Sequence, residues 1–219
     1  MASVAVLAVW FVGLSAVLAL LRLYFVFRGL GKDRNPTAAS SGSIRTVVVV
    51  GSGGHTTEVL RLMSGLSDKY APRYYIIAET DQMSEEKVHR FERETHPGKK
   101  DSYEIQKVPR SREVAQSWLS TVFTTLYATL YSFPMVFRIS PDLILCNGPG
   151  TCIPPCAAGL LMTFLGLKKV SLVYVESICR VETLSLSAQL LYYLADHLLV
   201  QWPHLQQKFP RTTYIGRVI

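Results

Sequence analysis

The stretch VVVVGSGGHTTEVL, residues 47–60, joins a continuous apolar run to a glycine-rich turn and a histidine. Glycines allow positive φ and lack Cβ atoms, so their backbone N–H groups can approach an anion closely. A helix that begins at Thr56 or Thr57 would direct the positive end of its dipole at the same point. The segment therefore predicts a diphosphate site beside His55, formed by Gly51, Ser52, Gly53, Gly54, Thr56 and Thr57.

Two familiar phosphate-binding loops do not fit this turn. A P-loop needs a lysine after its spaced glycines, and this turn has none. Gly51 and Gly53 match the start of the dinucleotide fingerprint G-x-G-x-x-G, but Thr56 occupies the third glycine position. Glu79, at the end of the next predicted strand, could bind a ribose, so a nicotinamide-dependent oxidoreductase stays open. His55 as a solvent-exposed residue without a role is the plainer alternative.

Two later loops also carry residues suited to chemistry. Asn147, Gly148 and Gly150 follow the apolar run DLILC, and their types suit a second close backbone approach, with Thr151 free to cap the next helix. A tight strand-to-helix connection explains this loop equally well. Glu176 follows another buried run, where a carboxylate can bind sugar hydroxyls or act as a base, or can simply cap a helix.

Alternating β-branched runs and helical patterns predict the elements that position these loops. Strands are predicted at Thr46–Val50, Tyr74–Glu79, Tyr103–Val108, Asp142–Cys146, Val170–Val175 and His197–Gln201, with helices beginning near Thr56, Ser84, Glu113, Thr151 and Thr183. Continuous apolar strands separated by helices indicate a parallel sheet covered on both faces. The fold class is therefore α/β, a doubly wound, Rossmann-like domain, whose ligands bind at the carboxyl ends of the strands.

Length and composition limit the remaining possibilities. The 219 residues suit one domain with an appendage, and the net charge of +7 favours anionic partners. Cys146, Cys152, Cys156 and Cys179 lie in apolar segments without C-x-x-C pairing, which predicts reduced core cysteines and no metal site.

The N-terminal segment has the pattern of a membrane anchor. Ala2–Leu21 carries no charge, and its helical length of about 30 Å matches the hydrocarbon thickness of a bilayer. A cleaved signal peptide is the alternative, but the apolar run is too long and no basic residue precedes it. Basic residues after the span place the rest of the chain in the cytosol. We expect an anchor at residues 1–27, a basic linker at 28–44 and the domain at 45–219.

A second uncharged stretch, Val114–Phe137, is also long enough to span a membrane. A span at this place would interrupt the alternation of strands and helices, so we expect a core or membrane-facing helix. Its aromatic residues, Trp118, Phe123, Tyr127, Tyr131 and Phe133, could lie in the headgroup region.

Taken as a set, GSGGHTTEVL, LILCNGPGTCIPP and YVESICRVETLS resemble one family over essentially the whole chain. This family is the membrane-anchoring subunit of the eukaryotic UDP-N-acetylglucosamine (UDP-GlcNAc) transferase of dolichol-linked oligosaccharide synthesis. The resemblance implies a GT-B glycosyltransferase split between two chains. It extends to the acceptor-binding half of the bacterial enzyme that adds GlcNAc to the lipid-linked peptidoglycan precursor.

The resemblance also implies partners and site residues. A soluble catalytic partner would bind UDP-GlcNAc and be recruited by this chain to the cytosolic face of the endoplasmic reticulum (ER). The acceptor would be dolichyl-diphosphate-GlcNAc, with no cofactor, no metal and no nucleic acid. In the wider family the glycine turn faces the lipid diphosphate, which carries over to Gly51–His55, and the loop glutamate carries over to Glu176. The turn has fewer glycines than the bacterial GGTGGH.

Length gives separate support to the split, since about 175 residues after the anchor and linker suit one Rossmann-like domain and not two. A non-catalytic membrane scaffold that only positions its partner is the alternative from another class. The C-terminal segment YIGRVI is expected to contact the donor-binding partner, or else to close the edge of this domain.

Overall fold

The computed structural model describes residues 2–29, 42–98, 102–112, 116–148 and 150–218. Side chains of the first helix are described from Trp10 to Phe25, and that of Trp118 is left out. The strands are β1 Thr46–Val50, β2 Arg73–Ala78, β3 Tyr103–Val108, β4 Leu143–Asn147, β5 Ser171–Val175, β6 His197–Val200 and β7 Thr212–Tyr214. The helices are α1 Ala2–Gly29, α2 Gly54–Ser64, α3 Gln82–Thr95, α4 Trp118–Ile139, α5 Ile153–Leu165, α6 Leu186–Leu191 and α7 Pro203–Lys208.

The strands form one parallel sheet in the order β3-β2-β1-β4-β5-β6-β7. The order reverses between β1 and β4, which is the topological switch point where doubly wound sheets bind ligands. In register, Val50 pairs with Asn147, and Asn147 pairs with Val175. The predicted Rossmann-like sheet is therefore confirmed, and the ends of β1, β4 and β5 lie together at one edge.

Alternate residues of β1 serve two cores, as a sheet covered on both faces requires. Val47 and Val49 pack with residues of α4 and α5 on one face. Val48 and Val50 pack with Val59 of α2 and with α3 on the other. The continuous apolar run of β1 is therefore explained by burial on both sides.

Element boundaries differ from the predicted ones at several points. The strand predicted to end at Cys146 continues to Asn147, and the short elements β7 and α7 were not predicted. Helix α2 begins at Gly54, and α4 begins at Trp118 and not near Glu113 as expected. Residues 113–115 lie outside the described residues. The expected cap at Thr151 was wrong, because Gly150–Cys152 form a 3-10 turn and Cys152 holds the cap position without a side-chain bond.

The cysteine prediction was wrong for one residue. Cys146, Cys152 and Cys156 are free and buried, with the first and last sulfur atoms 3.4 Å apart. Cys179 is free but exposed, because it lies in the loop after β5 and not in a strand or a packed helix.

Across the described part of the chain, no helix combines the length and the apolarity that crossing a membrane requires. Met1 and residues 30–41, which include most of the predicted linker, lie outside the described residues.

Helix α4 is divided in its packing. Met135, Val136 and Ile139 are buried near its end, whereas Leu119 and Phe123 near its start are 75% and 67% exposed.

Candidate functional site

A cavity of 410 Å³ lies at the switch-point edge of the sheet. Loops that follow β1, β4 and β5 surround it, because parallel neighbouring strands bring their carboxyl ends together. The residues that line it are Gly54, His55, Glu58, Gly148, Glu176, Ser177, Cys179, Arg180 and Ser185. The three predicted motifs therefore meet at one place, although they are far apart in the sequence.

The glycine turn after β1 presents open backbone at the start of α2. Gly53 is the N-cap residue with φ +67°, and no side chain caps the helix. A Cβ at Gly53 or Gly54 would meet no atom within 4 Å, so the space above the turn is open. Uncapped N–H groups at a helix N-terminus attract anions, and the turn has the features of a phosphate-binding site.

Arg110, in the loop after β3, adds a positive charge beside this turn. Its Nη2 lies 3.4 Å from Ser52 Oγ. Burial opposes ionisation of Asp81, but hydrogen bonds from Ser52 and Ser84 and the charge of Arg110 outweigh it and lower the pKa of Asp81. Arg110 was not among the predicted site residues; its signal is the charged PRSRE segment directly after a predicted strand.

His55 contacts the second loop through its imidazole ring. Its Nδ1 lies 3.1 Å from Asn147 Oδ1. The ring also lies against Gly148, where a built Cβ would be 2.8 Å from His55 Cγ. Gly148 has φ +109°, so this position needs glycine both for its backbone and for the space that His55 fills.

Asn147 belongs to a buried polar network under the cavity. Its Nδ2 donates to Glu58 Oε2 at 2.8 Å and to the carbonyl oxygen of Val175 at 3.3 Å. The carboxylate of Glu58 also accepts from Ser177 Oγ at 2.8 Å and from Gln201 Nε2 at 3.3 Å. Glu58 and Gln201 were not among the predicted site residues, because the donors to Glu58 lie 89, 119 and 143 positions away in the sequence.

Glu176 also lines the cavity and is buried. Its two carboxylate oxygens accept from the backbone N–H groups of Ser177 at 3.1 Å and Ser185 at 2.7 Å. Burial raises the pKa of Glu176 above its ordinary value, although these hydrogen bonds and Arg180 act against the shift. A carboxyl group with a raised pKa is a stronger base when ionised, which suits proton transfer.

Other predicted site residues have structural contacts or lie apart from the cavity. Thr56 is buried, and its Oγ1 donates to the carbonyl oxygen of Gly51 at 2.6 Å and lies 2.7 Å from Ser84 Oγ. Thr57 lines a separate hollow between α2 and α3. Gly150 lies in the 3-10 turn, near Ser111. Their roles in binding stay predictions.

These features define an α/β protein with an open glycine turn, a histidine and a buried carboxylate at the switch point of a parallel sheet. Residues 46–218 match the family described as "Oligosaccharide biosynthesis protein Alg14 like". The chain belongs to this family. Among curated relatives, the "UDP-N-acetylglucosamine transferase subunit ALG14" of Mus musculus is 56% identical over 81% of this chain and 84% of its own length. The Homo sapiens protein of the same name is 51% identical over 94% and 95%.

Solved structures show the same fold at low sequence identity. MurG of Acinetobacter baumannii superposes with a TM-score of 0.53 at 16% identity, covering 78% of this chain and 45% of that one. Arabidopsis thaliana UGT89C1, complexed with quercetin, gives a TM-score of 0.51 at 12% identity, covering 81% and 51%. This chain thus spans about half the length of both proteins.

Proposed function

We propose that this chain is the membrane-anchoring, acceptor-binding subunit of a UDP-GlcNAc transferase. The transferase adds the second GlcNAc to dolichyl-diphosphate-GlcNAc in N-glycan precursor synthesis. Family membership and the names of the relatives support this function. The observation that carries it is the cavity at the switch point that His55, Glu176 and Gly54 of the glycine turn line together.

The acceptor lipid binds with its diphosphate at the glycine turn. The open N–H groups at Gly53 and Gly54 and the cation of Arg110 neutralise its charge. The GlcNAc of the acceptor then extends into the cavity towards His55 and Glu176. Cys179 and Arg180, which sequence reasoning did not assign, lie on the wall beside it.

Transfer joins the two sugars in one displacement. A hydroxyl oxygen of the acceptor GlcNAc forms a bond to the anomeric carbon of UDP-GlcNAc. The bond from that carbon to UDP breaks, and UDP leaves with the electron pair, so the configuration inverts without a covalent sugar-enzyme intermediate. His55 Nε2 takes the proton of the attacking hydroxyl, because its Nδ1 is occupied by Asn147. A soluble partner chain binds and presents the donor, and the reaction uses no cofactor.

The chain is a single-pass protein of the ER membrane with its α/β domain in the cytosol. The uncharged segment 2–21 and its basic flank support the anchor. Apolar side chains of α1 such as Trp10 and Phe11 are exposed, as are those at the start of α4. Removing residues 1–27 should release the chain from membranes in a high-salt wash. If the truncated chain still sediments with membranes, the anchor lies elsewhere, and the exposed face of α4 becomes the candidate.

A two-chain activity assay with purified acceptor lipid and UDP-GlcNAc tests the function. His55→Ala should lower turnover by about 10²–10⁴-fold while co-purification of the partner is retained. The matched control is His89→Ala, which removes a histidine of α3 that contacts Tyr103 and not the cavity. A scaffold without catalytic residues would keep full activity in both variants, and that result would overturn the assignment of His55.

The comparisons favour the transferase over the nicotinamide-dependent alternative. Two features of the site also argue against nicotinamide binding. The position of the third fingerprint glycine is Thr56, whose buried side chain bonds back to Gly51. Glu79, the proposed ribose ligand, is exposed at the end of β2 and does not line the cavity.

A further inference from the structure

Glu58 lies beneath the cavity, on the first turns of α2, and is 2% exposed. Three side chains from three different parts of the sheet donate hydrogen bonds to its carboxylate. Asn147 comes from the end of β4, Ser177 from the loop after β5 and Gln201 from the residue after β6. An ionised carboxylate has no hydrogen to donate and can only accept hydrogen bonds, so three donors around Glu58 fit its ionised form.

Glu58 determines which way the amide of Asn147 points. An ionised carboxylate only accepts hydrogen bonds, so the group that Asn147 directs at Glu58 has to be its NH₂. The carbonyl oxygen of Val175, also an acceptor, lies 3.3 Å from the same nitrogen and requires the same orientation. Asn147 Oδ1 is therefore the atom left to face His55, at 3.1 Å from Nδ1.

The orientation of Asn147 in turn determines the tautomer of His55. A carbonyl oxygen has no proton to give, so the short contact requires that His55 Nδ1 carries the hydrogen. In a neutral imidazole the other nitrogen, Nε2, is then an unprotonated acceptor. This is the form in which His55 can take a proton from a substrate hydroxyl. The opposite tautomer would place the lone pair of Nδ1 against the lone pairs of Asn147.

We propose that Glu58 is a positioning residue for catalysis, which acts on His55 through Asn147 and keeps Nε2 free to accept the acceptor proton. The proposal rests on the proposed function, in which His55 is the base. Ser177 and Gln201 support the role by holding the carboxylate in place. Gly148 completes it, because the absence of a Cβ lets the ring of His55 lie close enough to Asn147.

Glu58→Gln tests the proposal with nearly unchanged volume. A glutamine presents one NH₂ group in place of a carboxylate oxygen. If this group faces Asn147 and Gln201 it opposes their NH₂ groups, and only if it faces Ser177, whose hydroxyl can also accept, does it leave them in place. The amide of Asn147 is therefore held less firmly than by the carboxylate. In the two-chain assay we expect kcat to fall about 10²-fold with KM for UDP-GlcNAc unchanged. Glu58→Asp keeps the charge and should recover part of the loss. Glu86→Gln, an exposed glutamate of α3, is the matched control and should have the activity of the unmodified chain.

A direct measurement on the unmodified chain does not depend on the folding of Glu58→Gln. The full chain with its partner, labelled with ¹⁵N and ¹³C at histidine, reports the tautomer of His55 by NMR, with His55→Ala used for assignment. We expect Nδ1 protonated and Nε2 unprotonated in the unmodified chain, and a mixture of tautomers in Glu58→Gln. A protonated Nε2 in the neutral unmodified chain would overturn the proposal, even where Glu58→Gln fails to fold.

The outcomes separate this proposal from the proposed function. If His55→Ala is fully active, the role of His55 fails, and the proposal for Glu58 fails with it. If His55→Ala is inactive but Glu58→Gln has normal kcat and a single tautomer, only the role of Glu58 is overturned. A pH profile of kcat that shifts in Glu58→Gln and not in Glu86→Gln supports positioning, because a purely structural defect lowers kcat at every pH.

Discussion

Two glutamates of this protein, Glu92 and Glu58, are both 2% exposed, yet their surroundings differ. Glu92, on α3, accepts from the guanidinium of Arg73 at 2.7 and 2.8 Å and from Tyr75 at 2.6 Å. Its charge is neutralised by a buried cation. Glu58 is held instead by the neutral donors of Asn147, Ser177 and Gln201. Its charge therefore orients neighbouring dipoles, and those dipoles end at a cavity.

The contrast separates a structural ion pair from a site. The Arg73–Glu92 pair holds the start of β2 against the end of α3, far from the loops that line the cavity. Burial and the adjacent charge of Glu92 raise the pKa of the Tyr75 hydroxyl, so this tyrosine stays a hydrogen donor. A buried carboxylate with neutral partners is the more informative sign of function, because stability alone rarely explains it.

Breaking the ion pair should have the largest effect on stability. Glu92→Ala leaves the guanidinium of Arg73 buried without its carboxylate, which typically costs about 3–5 kcal/mol. We expect the free energy of unfolding, measured by urea denaturation of the full chain in mild detergent, to fall by that amount. Activity per folded molecule should be retained.

Glu94→Ala is the matched control for this variant, since Glu94 is exposed on the same helix. It should change the free energy of unfolding by less than about 0.5 kcal/mol. If Glu92→Ala is equally mild, the ion pair does not stabilise the fold and the contrast with Glu58 is lost.

Changes at the cavity should lower stability less, and activity more, than loss of the Arg73–Glu92 ion pair. In Gly148→Ala the new Cβ would meet the ring of His55 at 2.8 Å, at a backbone φ of +109°. Strain of this kind is of order 1–3 kcal/mol, and displacement of the ring should lower turnover about 10²-fold. Gly65→Ala, where the nearest atom is at 3.5 Å and φ is −84°, should leave turnover unchanged. Normal turnover in Gly148→Ala would show that the close packing of His55 is not needed.

The two regions also differ in how far the sequence predicts them. The run of four valines after Thr46 predicts β1 with both bounds correct, because burial on both faces leaves a continuous apolar pattern. His55, Asn147 and Glu176 were found because glycines or a strand end mark their loops. Nothing in the sequence distinguishes Glu58 from an exposed charged residue of a helix. Only the sheet order brings its donors, from positions 147, 177 and 201, to one point.

Glu176 adds a third buried carboxylate, whose pH dependence sharpens the comparison. Burial raises its folded-state pKa above the ordinary 4.5, so the folded chain binds the proton more tightly than the unfolded chain. From pH 4.5 up to the raised pKa, this group makes the free energy of unfolding fall as pH rises. The slope is at most about 1.4 kcal/mol per pH unit.

Glu176→Gln should remove that slope, as measured by urea denaturation at several pH values. The difference in unfolding free energy between the variant and the unmodified chain should therefore increase through this window and become constant above it. A difference that is flat with pH would mean that the pKa of Glu176 is not raised. Glu182→Gln, an exposed glutamate in the following loop, is the control and should show no such increase.

The smallest expected effect concerns the C-terminal segment, which touches the Glu58 network. The backbone N–H of Val218 donates to Gln201 Oε1 at 2.8 Å, and Gln201 Nε2 donates to Glu58. Arg217 lies over the ring of Trp202, with its guanidinium carbon 4.6 Å from the ring centroid. Among the described residues, deleting 217–219 removes one neutral hydrogen bond and one exposed cation–π contact, so the free energy of unfolding should fall by only about 1 kcal/mol.

This deletion also decides what the segment is for. If the segment forms the interface with the donor-binding partner, its deletion should weaken co-purification of the partner far more than it lowers stability. Gln201→Ala provides the comparison, because it releases Glu58 and Val218 together while leaving the segment in place. If the deletion lowers stability strongly and the folded chain still binds its partner, the segment closes the edge of the sheet domain. The partner would then dock on another face, and the link from Val218 to Glu58 would serve folding alone.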